Sequence, residues 1–160
     1  MVWASILTLG MNLFLRLKKR KDFLAETIMF LTTVIVEIDY INLPVTEILK
    51  KIQSNGSCRK LDFISVCITE TEKGEDFDQA WLRAVSVSGL PLLREERNKL
   101  ISMGNLIGTS DAEGQKSILR LYSDFFSSYY GKAEEEYIKY GKICISVCGF
   151  IGLGIFMIIL

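Results

Sequence analysis

The sequence predicts an all-α protein, a helical bundle held to a membrane at its ends. Three observations lead to this prediction. Apolar residues recur every three or four positions through most of the chain, which is typical of helices packed on one face. Prolines interrupt the chain at two positions, Pro44 and Pro91. Finally, the uncharged run of residues 143–160 is long enough to cross a bilayer as a helix.

The N-terminal segment is a second candidate membrane anchor. Residues 2–15 carry no charge and are followed at once by the basic cluster RLKKRK, residues 16–21. A secretory signal peptide has its basic residues before the apolar stretch, so an uncleaved anchor is the better interpretation. Fourteen residues are short for a membrane span, so a helix that lies on an anionic membrane surface is the alternative.

Basic residues beside both apolar ends predict the orientation of the chain. The cluster at residues 16–21, together with Lys139 and Lys142, favours the cytoplasmic side of a cell membrane. We therefore expect a short anchor with its basic cluster over residues 1–21, a cytoplasmic helical bundle over 22–142, and a transmembrane helix over 143–160. A buried core helix is the alternative for the last segment, but such a helix normally keeps a polar face.

The first helix of the bundle is predicted by a regular apolar stripe. Spacings of four and three residues line one face of a helix over residues 23–40, through Leu24, Ile28, Leu31, Ile35 and Ile38. The β-branched run TTVIV, residues 32–36, favours a strand when taken alone. Because propensity is a weak guide against a heptad-like pattern, the helix is the main prediction and the strand the alternative.

Three short helices are predicted next, each from its boundary residues. Pro44 can start a helix over residues 45–53, and a second helix runs over 61–73 up to Gly74. Asp76 can cap the third, which contains Trp81. We expect the large Trp81 side chain to be a core anchor.

The stretch over residues 92–122 predicts a sharp helical hairpin. Gly108 suits the left-handed position that ends a helix at Ile107. Ser110 and Glu113 have the spacing of a capping box, which starts the next helix within two residues. Gly104 lies one turn before Gly108, so two positions without side chains stack on one face where another helix can approach closely.

One long helix is predicted to lead from this hairpin into the C-terminal anchor. It starts at Asp111, contains no proline, and carries an apolar stripe through Ile118, Tyr122, Phe125 and Tyr129. Unbroken to Lys142, it would extend about 48 Å. Gly131 and Gly141 are the positions where it could bend.

The anchor itself carries small residues on one face. Cys144, Cys148 and Gly152 recur every four residues, and small side chains let helices approach closely in lipid. We expect this transmembrane packing face to contact the N-terminal anchor or another subunit; the alternative is that a lipid-facing helix simply tolerates these residues. Leucine at Cys148 and Gly152 should weaken recovery of partners, and unchanged recovery with normal insertion would contradict the expectation.

The composition argues against catalysis, metal binding and nucleic-acid binding. The chain has no histidine, and its 19 Lys and Arg residues balance 19 Asp and Glu residues, so no net charge attracts nucleic acid. No CxxC pair is present to begin a zinc site. Cys58 and Cys67 are predicted to be plain thiols in or near the core, and Glu134–Glu136 a solvated helix face. We therefore expect no enzymatic activity, cofactor, metal or small-molecule substrate.

Four stretches in this order resemble stage III sporulation protein AB of endospore-forming bacteria. They are LPVTEIL (residues 43–49), DFDQAWLRAV (76–85), SMGNLIGTSDAEGQ (102–115) and YGKICISVCGFIGLGIFMIIL (140–160). The resemblance covers nearly the whole chain. It matches Gly104, Gly108, Asp111 and Gln115 to the family's glycine, glycine, aspartate and glutamine pattern, and Trp81 to its tryptophan.

The resemblance implies a structural part of a secretion-like complex that joins the mother cell to the forespore. The family's helical domain is similar to the cytoplasmic domain of the inner-membrane platform protein of type II secretion systems. By that analogy the chain would lie at the outer forespore membrane, between a cytoplasmic ATPase and other subunits of the stage III complex, and would be required for late forespore development. A membrane-tethered helical adaptor or regulator outside sporulation is the alternative.

Overall fold

The computed structural model describes the backbone of residues 2–41, 44–56, 58, 60–107 and 112–159, and the side chains of residues 10–40, 44–56, 58, 60–107, 113–141 and 143. Six helices occupy most of these ranges: α1 (Val2–Ile41), α2 (Val45–Ser54), α3 (Phe63–Glu72), α4 (Phe77–Val87), α5 (Arg94–Ile107) and α6 (Ala112–Ile159). No strand occurs among the described residues, so the all-α prediction is confirmed and the strand alternative for residues 32–36 is wrong.

The helices form a closed ring around one core. Each helix packs against its neighbours in sequence, and α6 closes the ring on α1. Trp81, Phe63, Phe23 and Phe126 are the largest aromatic side chains fully buried inside it. The Phe63 ring contacts two other aromatic rings. Its centroid lies 5.1 Å from that of Trp81 and 6.3 Å from that of Phe23. These aromatic contacts join α1, α3 and α4 into a single core.

Helices α1 and α6 form an antiparallel pair, which is the longest feature of the molecule. As α1 advances from Phe14 through Arg20 to Asp39, its contacts on α6 recede from Gly141 through Glu136 to Lys116. The helix α6 is continuous through Gly131 and Gly141, the two positions where the sequence allowed a bend. The helix α1 continues across residue 21, where the N-terminal anchor was predicted to end. The helix α6 continues across residue 142, where the helical bundle was predicted to end.

The buried stripe of α1 is wider than the apolar pattern predicted. Leu24, Leu31 and Ile38 are buried as expected, whereas Ile28 and Ile35 are half-buried at the edge of the stripe. Their places in the core are taken by Phe23, Thr27, Phe30 and Val34. Thr27 is polar, so a pattern of apolar residues does not include it. It can be buried because its hydroxyl donates a hydrogen bond to the Phe23 carbonyl at 2.9 Å. The wider stripe follows from two sets of neighbours, since α2 and α6 both pack on α1.

The stripe of α6 shows the same kind of shift. Leu119, Tyr122, Phe126 and Tyr129 are buried, while the predicted Ile118 and Phe125 are half-buried. A helix clasped between α5 and α1 buries a broader face than a single stripe.

In the part of the chain that the structure describes, no helix is both long enough and apolar enough for a membrane span. The side chains of residues 144–160 lie outside the described residues. The predicted transmembrane packing face, Cys144, Cys148 and Gly152, is therefore among the residues whose side chains are not described.

Candidate functional site

The predicted helical hairpin joins α5, α6 and the end of α1. Gln115 on α6 donates from Nε2 to the Ile107 carbonyl at 3.1 Å, which ties the first turns of α6 to the last turn of α5. Lys116 bonds Asp39 on α1 at 2.6 Å and also pairs with Glu113. The other predicted hairpin residues, Gly108, Ser110 and Asp111, lie outside the described residues, so the capping box stays a prediction.

Gly104 packs against an aromatic ring of α4. Both residues are buried, and a Cβ atom placed on Gly104 would overlap the Trp81 indole. The indole is fixed in place because Trp81 Nε1 donates to the Leu100 carbonyl at 2.8 Å, four residues before Gly104 on the same helix. Gly104 was predicted to let another helix approach closely. In the structure the space beside it is filled by the Trp81 side chain of α4.

A buried ionic cluster joins α1, α5 and α6 at the middle of the molecule. Arg20 Nη2 lies 2.6 Å from Glu96 Oε1, and Arg20 Nη1 lies 2.6 Å from Glu136 Oε2. Arg20 is 7% exposed and Glu96 is 1% exposed. Burial alone would lower the pKa of Arg20, but the hydrogen bond and charge of Glu96, with those of Glu136, raise it above its usual value.

Glu96 also stabilises the start of α5. Its Oε2 accepts a hydrogen bond from the backbone N–H of Leu93 at 2.8 Å. Leu93 precedes the first helical residue, so Glu96 reaches back to the N-cap in the manner of half a capping box. One buried carboxylate therefore orders the entry of α5 and fixes α5 to α1.

The basic residues at positions 16–21 have different environments in the structure, although the sequence predicted a single membrane-flanking cluster. Arg16, Lys18 and Lys19 are exposed. Arg20 is buried in the ionic cluster, and Lys21 lies 4.8 Å above the Tyr137 ring. A signal for this was present, because Arg20 precedes the core residue Leu24 by four positions and so shares its helix face.

The acidic run at residues 134–136 is likewise divided, so the single solvated face predicted for it is only partly correct. Glu135 is exposed, Glu136 pairs with Arg20, and Glu134 accepts from the Tyr130 hydroxyl at 3.0 Å. Helical rotation separates the three carboxylates by 100° per residue, so they meet different neighbours.

The sequence profile of the family described as stage III sporulation protein AB matches residues 1–160, the whole chain. The chain belongs to the stage III sporulation protein AB family. This confirms the resemblance predicted from the sequence and gives the chain a role in stage III of sporulation. No curated protein and no solved structure matches it.

The two described cysteines of this sporulation protein are buried free thiols. Cys58 has a left-handed backbone, with φ of 62°, and lies beside a cavity of about 230 Å³ between α2 and α3. Burial raises the pKa of Cys67 to about 12, and the charge of Glu75 adds to the shift. Among the described residues, no cluster of three or more Cys, Asp or Glu side chains could hold a metal ion.

We expect stability of this family member to fall as the pH rises above 9. The pKa of Cys67 is about 12 when folded and 9.0 ordinarily, so the unfolded chain releases its proton first. The stability that the neutral thiol contributes is complete below pH 9 and is lost progressively toward pH 12. Urea unfolding midpoints between pH 8 and pH 11 should fall less steeply for Cys67→Ala than for the wild type. If the urea midpoints of Cys67→Ala and the wild type fell equally with pH, the raised pKa of Cys67 would not be the cause.

Proposed function

We propose that this chain is a non-enzymatic structural and assembly subunit of the secretion-like complex that connects mother cell and forespore. Membership in the stage III sporulation protein AB family supports the sporulation role over the alternative of an adaptor outside sporulation. The proposal includes anchoring at the outer forespore membrane, with the helical bundle in the mother-cell cytoplasm.

The observation that carries the proposal is the antiparallel pairing of α1 and α6. Phe14 stacks on Tyr137 with ring centroids 4.9 Å apart, and it also lies against Gly141. Residues 2–15 and 143–159 therefore leave the bundle at the same end of the helix pair, and both segments are uncharged. A molecule with both apolar segments at one end and a closed helical ring at the other is suited to hold a domain at a membrane surface.

The buried polar groups support a structural role. The buried polar groups bond across helix boundaries: Arg20 on α1 pairs with Glu96 on α5, and Trp81 on α4 donates to Leu100 on α5. A general acid or base needs access to a substrate as well as a suitable pKa. Side chains sealed between helices hold the ring closed instead.

The proposed partners are a cytoplasmic ATPase and the other membrane subunits of the stage III complex. The hairpin region over residues 92–122 is the first surface to map for such contacts. Its part around Ile107 and Lys116 lies beside Asp39 near the end of α1, away from residues 2–15. A coiled-coil-like α1 and α6 pair would connect that end to the membrane.

We expect deletion of the gene to reduce the yield of heat-resistant spores by several orders of magnitude, with arrest after engulfment. Fluorescence microscopy of the forespore would identify the stage, and complementation with the wild-type gene would be the control. Co-purification of the tagged chain should recover an ATPase and small membrane proteins from sporulating cells. A normal spore yield together with no recovered membrane partner would contradict the proposed function.

A further inference from the structure

Exposed apolar side chains gather on the helix pair beyond Arg20, away from the bundle. On α1, Met11 is 64% exposed, and Leu13 and Leu15 are also exposed. On α6, Tyr140 and Ile143 are also exposed, at the same height along the axis of the helix pair. Because Phe14 contacts both Tyr137 and Gly141, these residues lie side by side across the two helices.

A layer of exposed cations follows, one turn nearer the bundle. Arg16, Lys18 and Lys19 are exposed on α1, and Lys139 is exposed on α6. Successive helix residues rotate by 100°, so the three cations of α1 project in different directions around the helix. Together the four side chains form a collar around the pair, and we call them the basic collar.

The carboxylates near this layer lie on its bundle side and are largely paired. Glu136 bonds Arg20 at 2.6 Å, and Asp22 bonds Lys60 at 3.2 Å. Glu135 is exposed, one turn before Lys139. Along the axis of the helix pair, the exposed side chains therefore change from apolar to mainly basic, with Ile138 exposed beside Lys139, and then to a layer of charged residues that are largely paired.

This order of layers fits the cross-section of a membrane with anionic lipids. Acyl chains would meet the apolar side chains, phosphates would meet the cations, and the layer of paired charges would stay in water. The exposed Tyr140 and the stacked Phe14 and Tyr137 lie at the boundary, where aromatic side chains are enriched.

We propose that the basic collar binds the phosphate groups of anionic phospholipids and sets the depth at which the helix pair enters the bilayer. The inference rests on the proposed membrane anchoring and adds the class of lipid to it. Arg20 and Lys21 take no part, since Glu96, Glu136 and the Tyr137 ring already occupy them. Each collar cation should raise the affinity for an anionic surface roughly fivefold at low salt.

The test is lipid retention by the purified full chain. The protein is extracted in a neutral detergent, mixed with equal amounts of phosphatidylglycerol and phosphatidylethanolamine, separated from free lipid, and analysed by mass spectrometry. We expect the wild type to retain at least fivefold more phosphatidylglycerol. The variant R16A/K18A/K19A/K139A should lose that preference and retain phosphatidylethanolamine as before.

The matched control removes four exposed cations from the bundle, with K73A/R83A/R94A/K132A. It changes the net charge equally and should keep the preference for phosphatidylglycerol. Equal retention of both lipids by a wild type found in the membrane fraction of cells would overturn the collar alone. A wild type found in the soluble fraction would overturn the anchoring proposal and the collar with it.

Discussion

Replacing Arg20 with methionine is expected to lower the free energy of unfolding by about 3–5 kcal/mol. The substitution removes the positive charge from a site where Glu96 is 1% exposed. Glu96 would keep the backbone N–H of Leu93 as a partner but lose the guanidinium that holds it at 2.6 Å. An uncompensated buried carboxylate is costly because it has left water without gaining a counter-charge.

The measurement is equilibrium urea unfolding of the full chain in detergent, followed by far-ultraviolet circular dichroism. Arg16→Met is the matched control, since Arg16 lies on the same helix and is exposed. We expect that control to change stability by less than about 0.5 kcal/mol. If the two variants unfold at the same urea concentration, the buried ion pair does not stabilise the fold.

A double variant separates the charge from the packing. R20M/E96Q removes both buried charges and leaves a side-chain oxygen at position 96 for the Leu93 N–H. Replacing a whole buried ion pair by neutral groups is often nearly neutral, so the double variant should be more stable than Arg20→Met alone. Glu136 is 46% exposed and can remain charged in water. A double variant as unstable as the single one would indicate that Arg20 acts through packing.

The helices could be predicted from the sequence because their signals are local. Pro44 precedes α2, and Gly74 follows α3 with φ of 93°, a left-handed conformation that glycine adopts without strain. The all-α class follows from such boundaries and from apolar spacing. Gly104 and Trp81 can be identified from the sequence for the same reason, since each is unusual within its own helix.

The ionic cluster could not be predicted in the same way because its members are distant in sequence. Arg20 and Glu96 are 76 positions apart, and Arg20 and Glu136 are 116 positions apart. Nothing local distinguishes Arg20 from its exposed neighbour Lys19 except the helix face that it shares with Leu24. The choice between a membrane-flanking cation and a core cation depends on the register of α1 against α6, which packing decides.

Placing a methyl group on Gly104 is expected to cost roughly 3 kcal/mol of stability, since it overpacks a filled site. In a helix, alanine is normally preferred to glycine by about 1 kcal/mol, so the expected sign is opposite to the intrinsic preference. The reason is that the added Cβ would overlap the Trp81 ring. The ring cannot move aside without breaking its hydrogen bond to the Leu100 carbonyl and its contact with Phe63.

Gly131→Ala on α6 is the matched control, because a Cβ atom there meets nothing within 4 Å apart from the backbone of its own helix and its two chain neighbours. That control should be more stable than the wild type by about 0.5–1 kcal/mol. Urea unfolding would compare the two alanine variants, and a stabilising Gly104→Ala would contradict the close packing. Combining Gly104→Ala with Trp81→Leu should cost less than the two single changes added together, since the smaller side chain admits the methyl group. Strict additivity would mean that Gly104 is sensitive for a reason other than contact with the indole.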